Sequence, residues 1–281
     1  MGGVLLSYTD RLALRAKEDG RLRLHPRFPS RYLSTARTLI VYVPPEYETS
    51  SARYPVLYLQ DGQNLFDPAT AFGGADWRAD VTADDLIRRG RIEPLIMVGI
   101  YNTGVRRVSE YTPTRDPRSR KGGKASRYAQ MLAREVKPFI DRNYRTKKAA
   151  CETGVGGSSL GALASLVAGI DYPRVFGRMA LLSPSVWWDG GSILPLVRAW
   201  KPARPSRIWL DVGTAEGSEP DKVVADARLL RDALYGRCVE LRYCESVGHL
   251  HNEQAWGERF GGVLEYLFPP SDGARDYRHA G

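Results

Sequence analysis

One glycine- and serine-rich stretch, GVGGSSLGALAS, runs from Gly154 to Ser165 and could carry chemistry. A phosphate-binding loop needs Lys and then Ser or Thr after its last glycine, where this chain has Ala162 and Leu163. A dinucleotide-binding fingerprint needs a third glycine where Ser159 stands, so that template fits weakly. The nucleophile-elbow pattern G-x-S-x-G fits Gly157 to Gly161 without exception, which favours a reactive serine.

The register of this elbow selects one of two adjacent serines. Gly157 and Gly161 flank Ser159, whereas centring the pattern on Ser158 would put Leu160 in place of the second glycine. We therefore predict that Ser159 is the nucleophile. A serine at a sharp strand-to-helix turn exposes its Oγ, and the turn aims the N–H of the next residue, Leu160, at a developing oxyanion.

An elbow serine reacts at neutral pH only with a His base and a carboxylate that orients the His, in the chain order Ser, acid, His. Of the histidines after Ser159, His279 lies in the C-terminal tail. His249 and His251 both follow the last strand candidate and precede the last helix candidate. The spacing alone leaves these two open.

The acid is expected just after the strand IWLDVG. Asp211 lies inside that strand and would point along or into the sheet, whereas Glu216 lies on the loop beyond its end. Glu219 and Asp221 share the loop and are typical of a helix N-terminal cap. We therefore predict Glu216 as the acid.

Apolar runs of strand length alternate with helical stretches, which predicts an α/β fold around a mainly parallel sheet. The strand candidates are Thr38 to Pro44, Pro55 to Asp61, Leu95 to Tyr101, Thr153 to Ser159, Met179 to Ser185, Ile208 to Thr214 and Val239 to Glu245. The helix candidates are Tyr128 to Asn143, Leu160 to Ile170, Val223 to Tyr235 and Glu253 to Phe268. The link between the first two strands is too short for a crossover, so we expect these strands to be antiparallel. Pro138 should kink the first helix.

The composition predicts one soluble domain over residues 1–281, with an N-terminal arm to about residue 36 and a loose tail over 269–281. No apolar run is long enough to span a membrane or to serve as a signal peptide, and three cysteines suit a reducing compartment, so we expect a cytoplasmic protein. The net charge is +9, but no nucleic-acid motif accompanies it. The densest basic cluster, Arg115 to Arg127, predicts either a solvated loop or a lid that attracts an anionic ligand.

Several separated segments together resemble the esterase family of α/β-hydrolases that includes esterase D and the enterochelin esterases. They cover the chain from about Arg37 to Phe268 in order. The segments are RTLIVYVPPEY, YPVLYLQDGQNLFDP, VGIYNTGVRRVSEYTP, GGSSLGALASL, LSPSVWW, LDVGTAEG and HLHNEQAWGERFGGVLEYLF. The resemblance implies an α/β-hydrolase fold, with helices on both faces of a mostly parallel sheet and an antiparallel N-terminal edge.

The resemblance also implies roles for individual residues. The family's closing motif fits His251 with Asn252, Glu253 and Trp256, and not His249, which makes His251 the base. The acid again falls on Glu216, although a Ser-His dyad suffices in some relatives. The segment QDGQN resembles the family's oxyanion loop and implies that the N–H of Gln63 joins that of Leu160.

Further residues carried over by the resemblance are candidates for the substrate pocket. Trp77, Trp187 and Trp188 would wall an acyl or aryl pocket, or would simply belong to the core. Asn102 and Arg107 follow a strand at the carboxyl edge of the sheet, where sites of α/β proteins gather, and would either pin the loop or bind substrate charge.

The sequence therefore predicts a serine esterase that forms an acyl-enzyme and needs no metal or organic cofactor. The expected partner is a small-molecule ester, such as a catecholate siderophore or a small acyl or aryl ester, with no nucleic acid or membrane partner; a homo-oligomer is left open. The alternatives are an acyltransferase of the same family and a feruloyl or acetyl esterase acting on plant cell-wall material. A non-enzymatic binding protein is disfavoured because the Ser, His and acid are all present.

Overall fold

The computed structural model describes residues 21–202, 205–237 and 239–270. Within these ranges one eight-stranded sheet has the order β1-β2-β4-β3-β5-β6-β7-β8. Its strands are β1 (Leu22–Phe28), β2 (Arg37–Tyr42), β3 (Val56–Gln60), β4 (Ile96–Ile100), β5 (Thr153–Ser158), β6 (Arg178–Leu182), β7 (Ser206–Gly213) and β8 (Val239–Ser246). All seven strand candidates are confirmed, six of them to within two residues at each end, while Met179 to Ser185 extends three residues beyond the end of β6.

The helices lie mostly between these strands. They are α1 (Ala79–Arg88), α2 (Arg107–Tyr111), α3 (Ala125–Met131), α4 (Lys137–Asn143), α5 (Leu160–Asp171), α6 (Ile193–Ala199), α7 (Pro220–Leu234) and α8 (Glu253–Leu267). The sequence patterns missed α1, α2 and α6, of which α2 and α6 are short. No helix among the described residues has the length and hydropathy needed to cross a membrane.

The direction of the strands confirms the predicted α/β class. The six strands from β3 to β8 pair in parallel, and β1 and β2 form an antiparallel edge. β2 and β3 run in opposite directions, as expected, but they are not neighbours because β4 lies between them. The link from β2 to β3 therefore has to cross only about 10 Å, twice the strand spacing.

The N-terminal arm is corrected by the structure. The segment up to about residue 36 contains β1, which pairs with β2 and buries Leu22. Its alternation is weak, with Arg23, His25 and Arg27 between the apolar residues, so the sequence pattern gave little sign of a strand. Residues 1–20 and 271–281 lie outside the described ranges, and the second of these segments contains most of the predicted tail.

The two faces of the sheet bury separate apolar clusters. In β2, Leu39 and Val41 pack on one face, while Ile40 and Tyr42 pack on the other. The helices α3 to α7 cover the first face, and α1 and α8 cover the second. Helices on both faces are what a parallel sheet requires, because both of its faces are apolar.

The helix predicted over 128–143 begins earlier and has an irregular centre. It starts at Ala125, and a π-helical turn at Leu132–Val136 separates α3 from α4. Pro138 follows this turn directly and lacks the N–H that a regular helix would use. Before Ala125, the basic residues from Arg115 onward form an exposed turn.

The close packing of α8 against the segment before α1 gives a test of the fold. A Cβ at Gly257 would lie 2.8 Å from the backbone oxygen of Trp77, so Gly257→Ala should lower the free energy of unfolding by about 1–3 kcal/mol. A Cβ at Gly261, one turn later, meets Thr82 only at 3.6 Å. Gly261→Ala should therefore raise stability by about 0.5–1 kcal/mol.

Urea unfolding of the two variants beside the wild type measures both effects. A Gly257→Ala variant as stable as Gly261→Ala would contradict the packing of α8 on the Trp77 backbone.

Candidate active site

The nucleophile elbow lies between β5 and α5. Ser159 has φ 57° and ψ −124°, a strained backbone conformation for a residue with a side chain. A Cβ at Gly157 or Gly161 would approach the Cβ of Gln60 to 2.9 and 3.0 Å. The two glycines of the motif therefore let β3 lie against the turn, as the elbow pattern requires.

Three side chains predicted from distant parts of the sequence meet at this turn. The Oγ of Ser159 lies 3.0 Å from Nε2 of His251, and Nδ1 of His251 lies 2.7 Å from Oε2 of Glu216. His249 lies elsewhere, with its Nδ1 3.8 Å from Glu258. Ser158 is buried at the end of β5. The arrangement can pass a proton from the serine to a histidine held in one orientation.

Glu216 is fully buried and is held by several donors. Its Oε1 accepts hydrogen bonds from the hydroxyl of Ser183 and from the backbone N–H of Gly213, the latter at 2.7 Å. Burial by itself raises the pKa of Glu216, but the hydrogen bonds from His251, Ser183 and Gly213 outweigh it and hold the pKa below its usual value. The carboxylate is therefore ionised and faces Nδ1 of His251.

A second layer of polar side chains lies behind Glu216. Arg259 and Trp256 of α8 both donate to the hydroxyl oxygen of Ser183, at 2.7 and 2.9 Å, so this hydroxyl has to donate its own proton to Glu216. Arg259 also pairs with buried Asp211 at 3.1 Å, and burial raises the pKa of Asp211. Sequence reasoning missed Ser183 and Arg259.

Two backbone N–H groups were predicted from the sequence to form an oxyanion hole, and both belong to the first turn of a helical segment. Leu160 is the first residue of α5, and Gln63 lies in the short 3₁₀ turn Gly62–Asn64 that follows β3. The first N–H groups of a helix or turn have no acceptor inside it. Both are therefore able to donate to a bound oxygen, and β3 and β5 are adjacent in the sheet.

The start of the Gly62–Asn64 turn is anchored by Asp61, a buried residue with φ 55°. Arg107 donates to both carboxylate oxygens of Asp61, at 2.8 and 2.7 Å, and Asn102 donates to Oδ1 at 2.8 Å. The backbone N–H of Asp61 donates to the hydroxyl of Tyr111. Arg107 and Asn102 line the cavity, and they use Nε, Nη2 and Nδ2 to hold this turn.

The end of the same turn is fixed by Asn64. Its Nδ2 donates to Oε1 of Glu253 at 2.9 Å, and its Oδ1 accepts from the N–H of Phe72 at 3.0 Å. Burial raises the pKa of Glu253, the first residue of α8. Asn64 therefore ties the turn that bears Gln63 to the helix that follows His251, and sequence reasoning missed this contact.

These side chains surround a cavity of about 430 Å³ at the carboxyl edge of the sheet. This volume suits a small ligand. The lining residues are Asp61, Gln63, Asn64, Phe72, Asn102, Gly104, Arg107, Ser158, Ser159, His251, Glu253 and Trp256.

The three tryptophans predicted for the pocket do not line this cavity. Trp77 is buried in the core, with its ring 6.3 Å from that of Trp256, and Trp188 is buried with its indole N–H donated to Thr114. Trp187 is exposed on the loop after β6. The aromatic residues at the cavity are Trp256, edge-on to His251, and Phe72. The spacing of aromatic residues could not separate core from pocket, because both take the same residue types.

Comparison with known proteins places the chain among esterases. The model of the family described as "Putative esterase" matches residues 30–267. The uncharacterized protein YbbA of Bacillus subtilis strain 168 is 25% identical over 244 residues, which are 83% of this chain and 92% of YbbA. An endo-1,4-beta-xylanase/feruloyl esterase of Xylanibacter ruminicola is 30% identical over 165 residues, which are 57% of this chain and 20% of that protein.

Among solved structures, the enterobactin esterase FES from Shigella flexneri, crystallised in the presence of enterobactin, superposes with a TM-score of 0.68. It is 20% identical, and the match covers 86% of this chain and 60% of FES. A likeness at this level of identity shows the fold. It is the α/β-hydrolase fold predicted from the sequence.

The contacts of Glu216 predict a pH-dependent role for Ser183. A lowered carboxylate pKa adds stability above the ordinary value of 4.5 that is lost as the pH falls through the folded-state pKa. Ser183→Ala removes one donor and raises the pKa of Glu216. We therefore expect Ser183→Ala to lose about 1.5–3 kcal/mol of unfolding free energy near pH 7 and clearly less near pH 3.5.

Urea unfolding at both pH values measures this, with Ser165→Ala as the matched control. The Oγ of buried Ser165 donates to the backbone oxygen of Gly161 and contacts no carboxylate, so its loss should be the same at both pH values. A Ser183→Ala loss equally independent of pH would rule out the proposed link to Glu216.

Proposed function

The chain belongs to the esterase family and is a carboxylic ester hydrolase, and we propose that it works through an acyl-enzyme on Ser159. In this proposal His251 is the base and Glu216 orients it. The observation that carries it is the continuous pair of contacts from Ser159 Oγ to His251 Nε2 and from His251 Nδ1 to Glu216 Oε2, at 3.0 and 2.7 Å.

In the first half-reaction, Ser159 Oγ attacks the ester carbonyl carbon while its proton passes to Nε2 of His251. The carbonyl oxygen becomes an oxyanion between the N–H groups of Leu160 and Gln63, each worth about 2.7–4 kcal/mol in the transition state. The tetrahedral intermediate then breaks its bond to the alcohol oxygen, which takes the proton back from His251. An acyl-enzyme and a free alcohol result.

In the second half-reaction, water replaces the alcohol. His251 takes a proton from the water as its oxygen attacks the acyl carbon, and the intermediate collapses by releasing Ser159 Oγ, which recovers the proton. Throughout, the ionised Glu216 stabilises the imidazolium form of His251 and keeps Nδ1 as a donor. An acceptor alcohol in place of water would give acyl transfer by the same steps.

For the substrate we propose a small acyl or aryl ester whose reacting part is uncharged. Asp61 binds Nε and Nη2 of Arg107 and offsets its charge, so this cation attracts an anionic acyl group less than an unpaired guanidinium would. Buried Glu253 adds a carboxylate to the cavity wall. A catecholate siderophore, the ligand in the FES structure, would therefore have to keep its charged rings outside the cavity, toward the basic turn from Arg115.

The elbow geometry predicts an asymmetry between its two serines. Ser159→Ala should lower kcat for p-nitrophenyl acetate by about 10⁴-fold or more, because no nucleophile remains. Ser158→Ala should keep most of the activity, because this side chain is buried at the end of β5 and contacts neither His251 nor Glu216. Steady-state rates and the pre-steady-state burst measure both. Equal activity of the two variants would refute Ser159 as the nucleophile.

A panel of esters separates the substrate classes. If the reacting part must be uncharged, p-nitrophenyl butyrate should exceed the half-ester p-nitrophenyl succinate in kcat/KM by about tenfold or more. Methyl ferulate and a catecholate trilactone, with and without ferric ion, complete the panel. Faster turnover of the anionic half-ester would contradict the proposed charge preference, and selective turnover of the ferric trilactone would establish the siderophore as substrate.

A further inference from the structure

Large exposed apolar side chains lie on loops at the same edge of the sheet as the cavity. We define the apolar rim as Phe72, Val105, Trp187 and Leu250, which are 78%, 96%, 55% and 53% exposed. Single exposed apolar residues are ordinary, but a group around one opening is typical of a surface that meets a partner. The proposed hydrolysis leaves three of the four without a role, since only Phe72 lines the cavity.

The rim residues share the edge of the sheet that carries the candidate active site. They lie on the loops that follow β3, β4, β6 and β8, whose carboxyl ends point the same way, and Ser159 follows β5 in their midst. Val105 adjoins Gly104 of the cavity wall, and Leu250 adjoins His251. Trp187 is two residues from Ser185, whose Oγ is 3.0 Å from that of Ser159.

A strongly basic segment lies at the same edge. We define the basic turn as residues 115–127, which contain six Arg or Lys and one carboxylate, Asp116. All six basic residues are exposed. The segment runs into the first turn of α3, and α3 and α4 lead from there toward the amino end of β5, so the basic turn lies at the carboxyl edge of the sheet.

Direct contacts join the basic turn to the loop that carries Trp187. Trp188, the next residue, donates its indole N–H to the backbone oxygen of Thr114 at 3.1 Å. A Cβ at Gly122, inside the turn, would lie 2.8 Å from the Trp188 ring. Trp188 therefore holds the basic turn next to the loop that carries Trp187.

We propose that the apolar rim and the basic turn together dock this protein on an anionic lipid surface, with the cavity opening toward the lipid. Exposed apolar side chains that enter the acyl boundary, beside Lys and Arg that meet anionic headgroups, are the two elements of peripheral membrane binding. Docking itself does not depend on the chemistry of Ser159. If the protein also takes its ester substrates from the lipid phase, that part of the proposal rests on the proposed hydrolase function.

Two other occupants fit the surface less well. Nucleic acid would meet the basic turn and could stack bases on Phe72 and Trp187, but it offers no apolar phase to the exposed aliphatic side chains of Val105 and Leu250. A second copy of this chain would bring a net charge of +9 and a second basic turn to the interface. An anionic lipid surface satisfies both the charge and the apolar side chains.

This proposal replaces the expectation that the protein has no membrane partner. That expectation rested on the absence of an apolar run long enough to span a bilayer. A protein that lies on the surface needs no such run, because a few inserted side chains and several cations are sufficient for reversible binding.

Sedimentation with sucrose-loaded vesicles tests the docking. We expect the full chain to bind vesicles of phosphatidylcholine with phosphatidylglycerol about tenfold or more tightly than vesicles of phosphatidylcholine alone, and to release at about 0.5 M NaCl. Hydrolysis of soluble p-nitrophenyl acetate is measured separately. Absence of that activity would contradict the proposed function. Equal binding to both vesicle types, or no binding to either, would overturn the docking.

Matched variants test whether the apolar rim and the basic turn are the surface that binds the vesicles. Val105→Asp should weaken vesicle binding by about tenfold, while Leu229→Asp, at a 47% exposed position on α7, should not. Arg118→Glu with Arg120→Glu should also weaken it. Arg53→Glu with Lys148→Glu makes the same change of net charge at exposed positions at the opposite edge and should not.

Thermal unfolding shows that each variant is folded before binding is compared. Equal effects of the rim and control variants would overturn the proposal, because the binding would then follow net charge or general hydrophobicity. A dimer in size-exclusion chromatography that Val105→Asp dissociates would also overturn it, in favour of a second copy as the occupant.

Discussion

The contact between His251 and the buried carboxylate of Glu216 is the interaction on which the rest of the site depends. A carboxylate without solvent persists in ionised form only when its oxygens are fully used, and here Ser183 and Gly213 bind one oxygen while His251 binds the other. This fixes Nδ1 as the donor and turns Nε2 toward Ser159. The structure behind Glu216 therefore determines which way the base faces.

Two strained turns on neighbouring strands face each other across this site. Ser159 after β5 and Asp61 after β3 both have positive φ values, and each such residue costs about 1–3 kcal/mol unless its surroundings enforce it. Gln60 packs between Gly157 and Gly161 on one side, and Arg107 holds Asp61 on the other. The parallel pairing of β3 and β5 thus brings Ser159 and the turn that bears Gln63 to one place.

The polar groups of the cavity mostly satisfy each other. Asp61 binds Arg107, and Asn64 binds Glu253, so the charged side chains in the wall are committed to positioning. This is the basis of the proposal that the reacting part of the substrate is uncharged. Discrimination among larger substrates then falls to the mouth, where apolar and basic side chains are exposed.

The sequence by itself predicted seven of the eight described strands and the three residues that we propose to react. The elbow register singles out Ser159, because only one serine has glycines at both required positions, and strand-length apolar runs predict the parallel sheet. Only the tertiary structure decided that Arg107 holds a turn, that Trp77 is core, and that Arg259 supports the site from behind. Local patterns record what a residue's neighbours along the chain require, whereas these roles come from contacts between residues far apart in sequence, which the packing of helices on the sheet creates.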